Sequence, residues 1–415
     1  MNKVVRLSLS LSAALVAALV MVVPSAFSAT LYVDAANTGF EDGTLANPFN
    51  TIQEAMDAAL EDDTISVARG IYYGGLQLNK GIQLISQEGP QVTILDGLSG
   101  NVISGWYVDS YHNYYIKGFT LTGAGMVSLV RTSYVTMENC IFRDSSDGFA
   151  FYLSLGSGFT ARNCLLLNMP GLAVHSMFNA GPRFENVTLD RAGAGFRAVY
   201  SNIQLFNTSI SNVDTAFYFN SGYWGSVSGS NVNLWNNQFV SNDLSLVGIA
   251  NMTYVDPRFV APPEDYRLRA GSPLIDAGID IGLPYVGAAP DIGAYEYTEL
   301  TLPEKVENLA ASFAGVPSEI VRDPAEQRKI ALYQKFEAIL RMVYVTEDSA
   351  GRDARLNVLE GCLAKLSNDI LAKVDGNSGG NPNNDWLENG PEKITLYNQV
   401  LSVIADIKRE FAGNP

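Results

Sequence analysis

The chain has 415 residues and a formal net charge of −16, from 43 acidic and 27 basic side chains. That length suits two domains and a sizeable core, and the acidity repels phosphate backbones, which argues against nucleic acid as a partner. Three cysteines (Cys140, Cys164 and Cys362) are too few for a disulfide-built scaffold, and His112 and His175 lie too far apart to make a metal motif.

Residues 1–29 read as a secretory signal peptide. Lys3 and Arg6 precede an apolar run from Leu7 to Val23, and small residues follow up to Ala29. The run is short for a membrane anchor. The expected mature protein is therefore exported, without a membrane span, and removal of Lys3 and Arg6 takes its charge from −16 to −18.

The first regular element is a short helix. Thr51 to Glu54 has the form of a capping box, and Ile52, Ala55, Met56 and Ala59 make one apolar face. Alternation then predicts strands at residues 64–68, 76–78, 82–85 and 92–95. From there the chain repeats itself. VTMENCIF at 135–142 returns as FTARNCLLL at 159–167, and Asn139, Asn163, Asn186, Asn207 and Asn236 fall 24, 23, 21 and 29 residues apart. Gly118 holds the same place 21 residues before Asn139.

Apolar residues stand two positions before and three positions after each anchor. A period of two inside a fixed long period predicts stacked coils of strands, a parallel β-helix. Like residues then stack on like, about 4.8 Å apart. Asn tolerates the left-handed corner, and its amide can bond the Asn one coil away. Cys140 and Cys164 follow two of these anchors and read as stacked buried thiols, with a disulfide between them as the alternative. The outward row before the anchors, Lys117, Glu138, Arg162, Glu185, Phe206 and Trp235, reads as a charge ladder ending in aromatics.

The 29-residue interval before Asn236 carries an insertion at residues 220–226, with Tyr223 and Trp224 between glycines. Long excursions from a coil often build a binding face. Beyond Pro303, glycine falls and apolar residues take helical spacing: Ile330, Tyr333, Phe336, Ile339, Leu340, Val343; then Leu356, Leu359, Leu363, Leu366, Ile370; then Ile394, Tyr397, Leu401, Ile404. Each stripe needs a partner, so residues 300–415 are expected to form a small helical bundle able to meet a protein partner. Cys362 sits on such a stripe and reads as core. Asp375, Asn377 and Asp385 lack the EF-hand pattern and read as a solvated loop.

Two stretches carry a family resemblance. Leu31-Tyr32-Val33-Asp34, Asp42-Gly43-Thr44, Asn47-Pro48-Phe49, TIQEAMDAAL and Arg69-Gly70-Ile71-Tyr72 resemble the start of secreted bacterial right-handed β-helix proteins of the pectate-lyase-like fold. Asp256-Pro257-Arg258-Phe259, the run from Gly271 to Gly278, and Asp291-Ile292-Gly293-Ala294-Tyr295-Glu296 resemble the closing segment of choice-of-anchor Q proteins. Together they cover about residues 30–299, with the closing segment from about 251.

The resemblance implies a groove along one face, an acidic polysaccharide as ligand, calcium held by clustered acids, and a Lys or Arg that removes the proton alpha to a uronate carboxylate. Residues 30–299 hold only Lys80 and Lys117 as lysines, which leaves an arginine, and Arg197 is the candidate base. Tyr152 and His175 share one position in the repeat, and Arg197 and Tyr218 join them after small shifts. With Tyr223 and Trp224 these are the expected sugar-contacting residues. Asp144 and Asp147 flank a turn and are the candidate calcium ligands. No paired-aspartate or Gly-His-Gly pattern of a β-helix hydrolase is present. The alternative to polysaccharide binding and cleavage is a non-catalytic extracellular scaffold or adhesion module.

Overall fold

The structure is a computed structural model and describes residues 28–106, 112–131, 134–299, 301–347, 352–375 and 385–412. The expected signal peptide lies almost wholly outside them. The chain divides into two units, residues 1–297 and 298–415.

The first unit is a β-solenoid of about eight turns whose main sheet is parallel throughout. Each full coil contributes a strand to three faces. The first face runs from Asp63–Val67 through Ile82–Ser86, Asn113–Lys117 and Tyr134–Glu138 to the coils beginning at Phe159, Arg183, Asn202 and Ser226. Thr30–Val33 pairs in front of Asp63–Val67 and is itself a strand, which alternation alone had not shown. The helix α1 (Ile52–Ala58) packs on this end of the solenoid. Thr51 accepts from Glu54 N at its start, and Ile52, Ala55 and Met56 are buried.

Inside, like stacks on like. Leu95, Leu121, Phe142, Leu166, Leu189, Ile210 and Leu234 follow one another in register on the second face. Ile103, Val127, Phe151, Val174, Phe196 and Phe217 do so on the third. Cys140 and Cys164 are both buried and unbridged.

The corner between the first and second faces is the Asn ladder. Asn139, Asn163, Asn186 and Asn207 all take φ near +50°, and Gly118 takes +81°. Asn186 donates to Asn163 Oδ1 at 3.1 Å and Asn207 to Asn186 Oδ1 at 3.0 Å. Asn236 is a correction. Register pairs Phe206 with Ser230, so the next rungs are Asn231 and Asn251, with φ of +56° each. The interval is 24 residues rather than 29, and the excursion at 220–226 is correspondingly short.

The misleading position is Gly229. It stands opposite Leu205 at φ +142°, and a Cβ there would lie 1.8 Å from Leu205 O. With no apolar side chain to mark it, this rung loses its sequence signature, and Leu234 of the second face resembles a residue of the first. Asn236 belongs to a second left-handed corner, with Asp144, Asn168, Arg191 and Asn212, and donates to Asn212 Oδ1 at 2.7 Å. For the same reason Trp235 pairs with Ser211 and does not end the charge ladder.

Residues 254–297 fold back along the second face. Phe259, Tyr266, Leu268, Leu274, Ile292 and Ala294 bury the outward side chains Leu165 and Leu167. This explains the unbroken Leu165-Leu166-Leu167, since a strand covered on both sides needs no alternation. The segment is pinned to the ladder: Asn207 exchanges hydrogen bonds with Ile279 N and O at 2.9 and 3.0 Å.

The second unit contains α2 (Leu302–Ala314), α3 (Ala325–Glu347), α4 (Arg352–Lys365) and α5 (Pro391–Ala412) around one core that includes Cys362. The expected Phe336, Ile339, Val343 and Ile404 are buried, but other members of the two stripes are not. Leu332, Phe336, Ile339 and Val343 face inward on α3, whereas Ile330 and Tyr333 are exposed; on α5, Leu396, Val400, Val403 and Ile407 replace Ile394 and Leu401. Asp385 is buried and accepts from Lys393 Nζ rather than sitting in solvent. Asn377 lies outside the described residues.

Loss of a fully buried ladder amide should cost far more than loss of an exposed one. Asn207→Ala leaves Ile279 N and O unpaired and puts Ala at φ +50°, so it should destabilise the solenoid by about 3 kcal/mol. Asn236→Ala, at an exposed corner, should cost about 1 kcal/mol. Urea denaturation followed by circular dichroism measures both.

Candidate functional site on the third face

The three faces have different fates. Outward side chains of the first face neutralise one another: Lys117 pairs with Glu138 at 2.9 Å, and Arg162 (2.7 Å) and Arg183 both pair with the buried Glu185. Arg183 also lies over the Phe206 ring at 4.1 Å. The closing segment covers the second face. The third face carries the side chains without such partners.

Its outward row is in exact register over consecutive coils: Ser104, Ser128, Tyr152, His175, Arg197 and Tyr218. The four expected sugar-contacting positions of the repeat are thus brought side by side. Tyr152 meets His175 edge to face at 5.5 Å. Arg197 donates to Asn220 Oδ1 at 3.0 Å, and its guanidinium lies 5.7 Å from the centre of the Tyr218 ring. His175 Nε2 is buried and has no hydrogen-bond partner. Burial and the neighbouring Arg197 charge lower its pKa from the ordinary 6.5 to about 4. At neutral pH His175 therefore presents a neutral imidazole with one unsatisfied nitrogen.

Each rung of this row ends in a third left-handed corner, occupied by Arg131, Leu155, Phe178 and Tyr200 at φ between +48° and +55°. Large side chains are rare in this region, where each costs roughly 1–2 kcal/mol. Backbone strain of this kind gathers at functional sites. Phe178 stacks on Tyr200 at 5.8 Å, and Tyr200 meets Tyr223 at 5.2 Å and Trp224 at 5.7 Å edge to face. Tyr223 and Trp224 are 47% and 56% exposed, so their rings are open to a ligand.

Phe178 and Tyr200 escaped the sequence reading. Their signal was the spacing Tyr152-x-x-Leu155, His175-x-x-Phe178 and Arg197-x-x-Tyr200, one pair per coil.

Of the two candidate calcium ligands, only the Asp144 side chain is described. Asp144 is a rung of the second corner, with its carboxylate taken by Arg143 Nε at 2.8 Å and Asn168 Nδ2 at 2.7 Å. These two bonds and the Arg143 charge hold its pKa below the ordinary carboxylate value, against the opposing effect of burial. The Asp147 side chain lies outside the described residues. Among the described residues no three His, Cys, Asp or Glu side chains gather to hold a cation.

The fold defines the class: a right-handed parallel β-helix with a helical C-terminal unit. A family described as a right-handed beta helix region matches residues 100–259, the coils that carry the row. No curated protein matches. Solved structures similar to this chain include a rhamnogalacturonan lyase, at 12% identity over 57% of this chain and 92% of that one, with a TM-score of 0.35. An alginate lyase from Paenibacillus sp. str. FPU-7 is 12% identical over 54% and 99%, with a TM-score of 0.36. The pectin methylesterase PemA from Erwinia chrysanthemi is 11% identical over 51% and 80%, with a TM-score of 0.25.

The depressed pKa of His175 makes stability depend on acid. Between about pH 6.5 and pH 4 the unfolded chain binds the imidazole proton and the folded chain does not. The stability is complete above that window and falls as pH drops through it. Urea midpoints are measured from pH 7 to pH 4 for wild type and His175→Gln, and an equal acid loss in both would contradict this cause. A steeper acid loss in wild type is the expected result.

Proposed function

We propose that this chain is an exported protein that binds an acidic polysaccharide along the third face of its solenoid. The observation that carries the reading is Arg197. Among the described residues, Arg69, Arg143, Arg162, Arg183, Arg191 and Arg267 pair with a carboxylate, whereas Arg197, between His175 and Tyr218, pairs with none there. An arginine held by Asn220 and flanked by aromatics is prepared for a ligand carboxylate. Tyr152, Tyr218, Tyr223 and Trp224 supply ring faces or edges for the sugars, beside the half-buried His175 ring. One sugar per coil suits the side-by-side row.

In the catalytic form of this reading, Arg197 acts as a neutral guanidine instead of holding the ligand carboxylate. It accepts the proton alpha to a uronate carboxylate, the C–H electron pair forms the new C=C bond, and the glycosidic C–O bond at the β-carbon breaks, its oxygen leaving with the electron pair and taking a proton from solvent. Calcium is the cofactor this form would use. The non-catalytic form, an extracellular scaffold, has its own observation: Ile330, Tyr333 and Ile394 of the helical unit are half exposed or more and offer apolar contacts to a protein partner.

The test is titration of pectin, alginate and glycosaminoglycan fragments, with calcium and with chelator, alongside ultraviolet absorbance for unsaturated uronate products. Arg197→Ala should weaken binding roughly tenfold to a hundredfold, and Trp224→Ala by about tenfold. New absorbance abolished by Arg197→Ala establishes the lyase form, and saturable binding without absorbance the scaffold form. Absence of binding to every acidic glycan sinks both.

A further inference from the structure

A second place in the solenoid unit combines an open aromatic ring with unpaired cations. It lies where the closing segment crosses the second corner, a cleft of about 520 Å³ with Trp235, Arg258, Arg269, Asp256, Ser211 and Asn212 in its lining. Sites for one or two sugar-sized molecules fall in this volume range.

Its charges are arranged by the fold. Asp190, at the base, is 2% exposed and already satisfied: it accepts from Ser211 Oγ at 2.8 Å, Asn212 Nδ2 at 2.6 Å and Tyr266 Oη at 2.5 Å, with Arg191 3.4 Å away. It therefore does not call on the arginines of the wall. Arg258 and Arg269 pair with no carboxylate among the described residues. Each is steadied by one backbone acceptor, Gly271 O for Arg258 at 2.9 Å and Val260 O for Arg269. A guanidinium has five donors, so most of each fork remains available.

The Arg258 backbone is itself in the left-handed region, at φ +53°, with Asp256 Oδ1 accepting its N–H at 2.9 Å. Within a chain of net charge −16, Arg258 and Arg269 offset Asp190 and Asp256 in the lining of this cleft. Trp235 is 37% exposed beside them.

We infer that this cleft is a second saccharide site, separate from the third face, that takes a sugar bearing an oxyanion, carboxylate or sulfate. The sugar ring packs on Trp235, its anion meets the forks of Arg258 and Arg269, and the exposed Asp256 accepts from a hydroxyl. The ligand class follows from the two arginines and the tryptophan, and it stands whether or not the third face binds. A chain with both sites holds an acidic polymer at two points, which raises avidity when one polymer spans them.

The experiment is calorimetric titration of the full chain with tetragalacturonate, with a sulfated tetrasaccharide and with uncharged maltotetraose. Trp235→Ala and Arg269→Gln change two separate segments of the lining, one on the solenoid and one on the closing segment, so a folding defect in one does not remove the other, and circular dichroism checks both. Each should weaken one class of anionic-saccharide sites about tenfold, while Arg197→Ala leaves that class intact. The anion that binds, uronate or sulfate, identifies the source. Unchanged anionic binding in both variants overturns the inference. So does equal affinity for maltotetraose, or a single class of sites abolished by Arg197→Ala. Loss on Trp235→Ala with no effect of Arg197→Ala would instead leave the cleft standing and remove the third-face reading.

Discussion

Every coil of this solenoid must turn sharply at the same places, and the turns must stack. The residues at three corners sit in the left-handed region, where L side chains are strained and where asparagine and glycine are least so. That requirement sets the rest of the fold. It puts like residues in register, and it lets Asn186 and Asn207 bond from coil to coil. It also gives the closing segment a fixed row of amides on which to anchor through Ile279. A slip of one residue in any coil would turn its core outward.

The same register divides the surface by chemistry. A column of side chains on one face faces its own neighbours above and below, so it either satisfies itself or waits for something else. Lys117, Glu138, Arg162 and Glu185 satisfy themselves. Leu165 and Leu167 are covered by Phe259, Tyr266 and their neighbours. The column Tyr152, His175, Arg197, Tyr218 does neither: it leaves a neutral imidazole nitrogen unbonded and a guanidinium without a carboxylate. Bulky residues in the adjoining left-handed corner, Phe178 and Tyr200, show that strain is accepted there in exchange for exposed rings.

Much of this was legible in the sequence, because a period-two pattern inside a period of 21–24 residues has few physical interpretations. Asn139, Asn163, Asn186 and Asn207 kept both the amide and the flanking apolar residues, so their places were clear. Asn231 lost its flanking residue to Gly229, and Asn236 took its place in the reading. Asp144 resembled a cation ligand because an acid at a turn and an acid at a metal site look alike, and only the contact with Asn168 tells them apart. The helical stripes on α3 and α5 were partly right: Phe336, Ile339, Val343 and Ile404 are core. Ile330 and Ile394 are apolar yet exposed, and hydropathy alone does not say which side of a helix has company.

The central claim is that the third face is the binding face. A crystal structure of the chain soaked with a galacturonate oligomer tests it most directly. The account predicts sugar rings along Tyr152, His175, Arg197 and Tyr218, with a carboxylate on the Arg197 guanidinium. An oligomer at saturating concentration that leaves this row bare would contradict it.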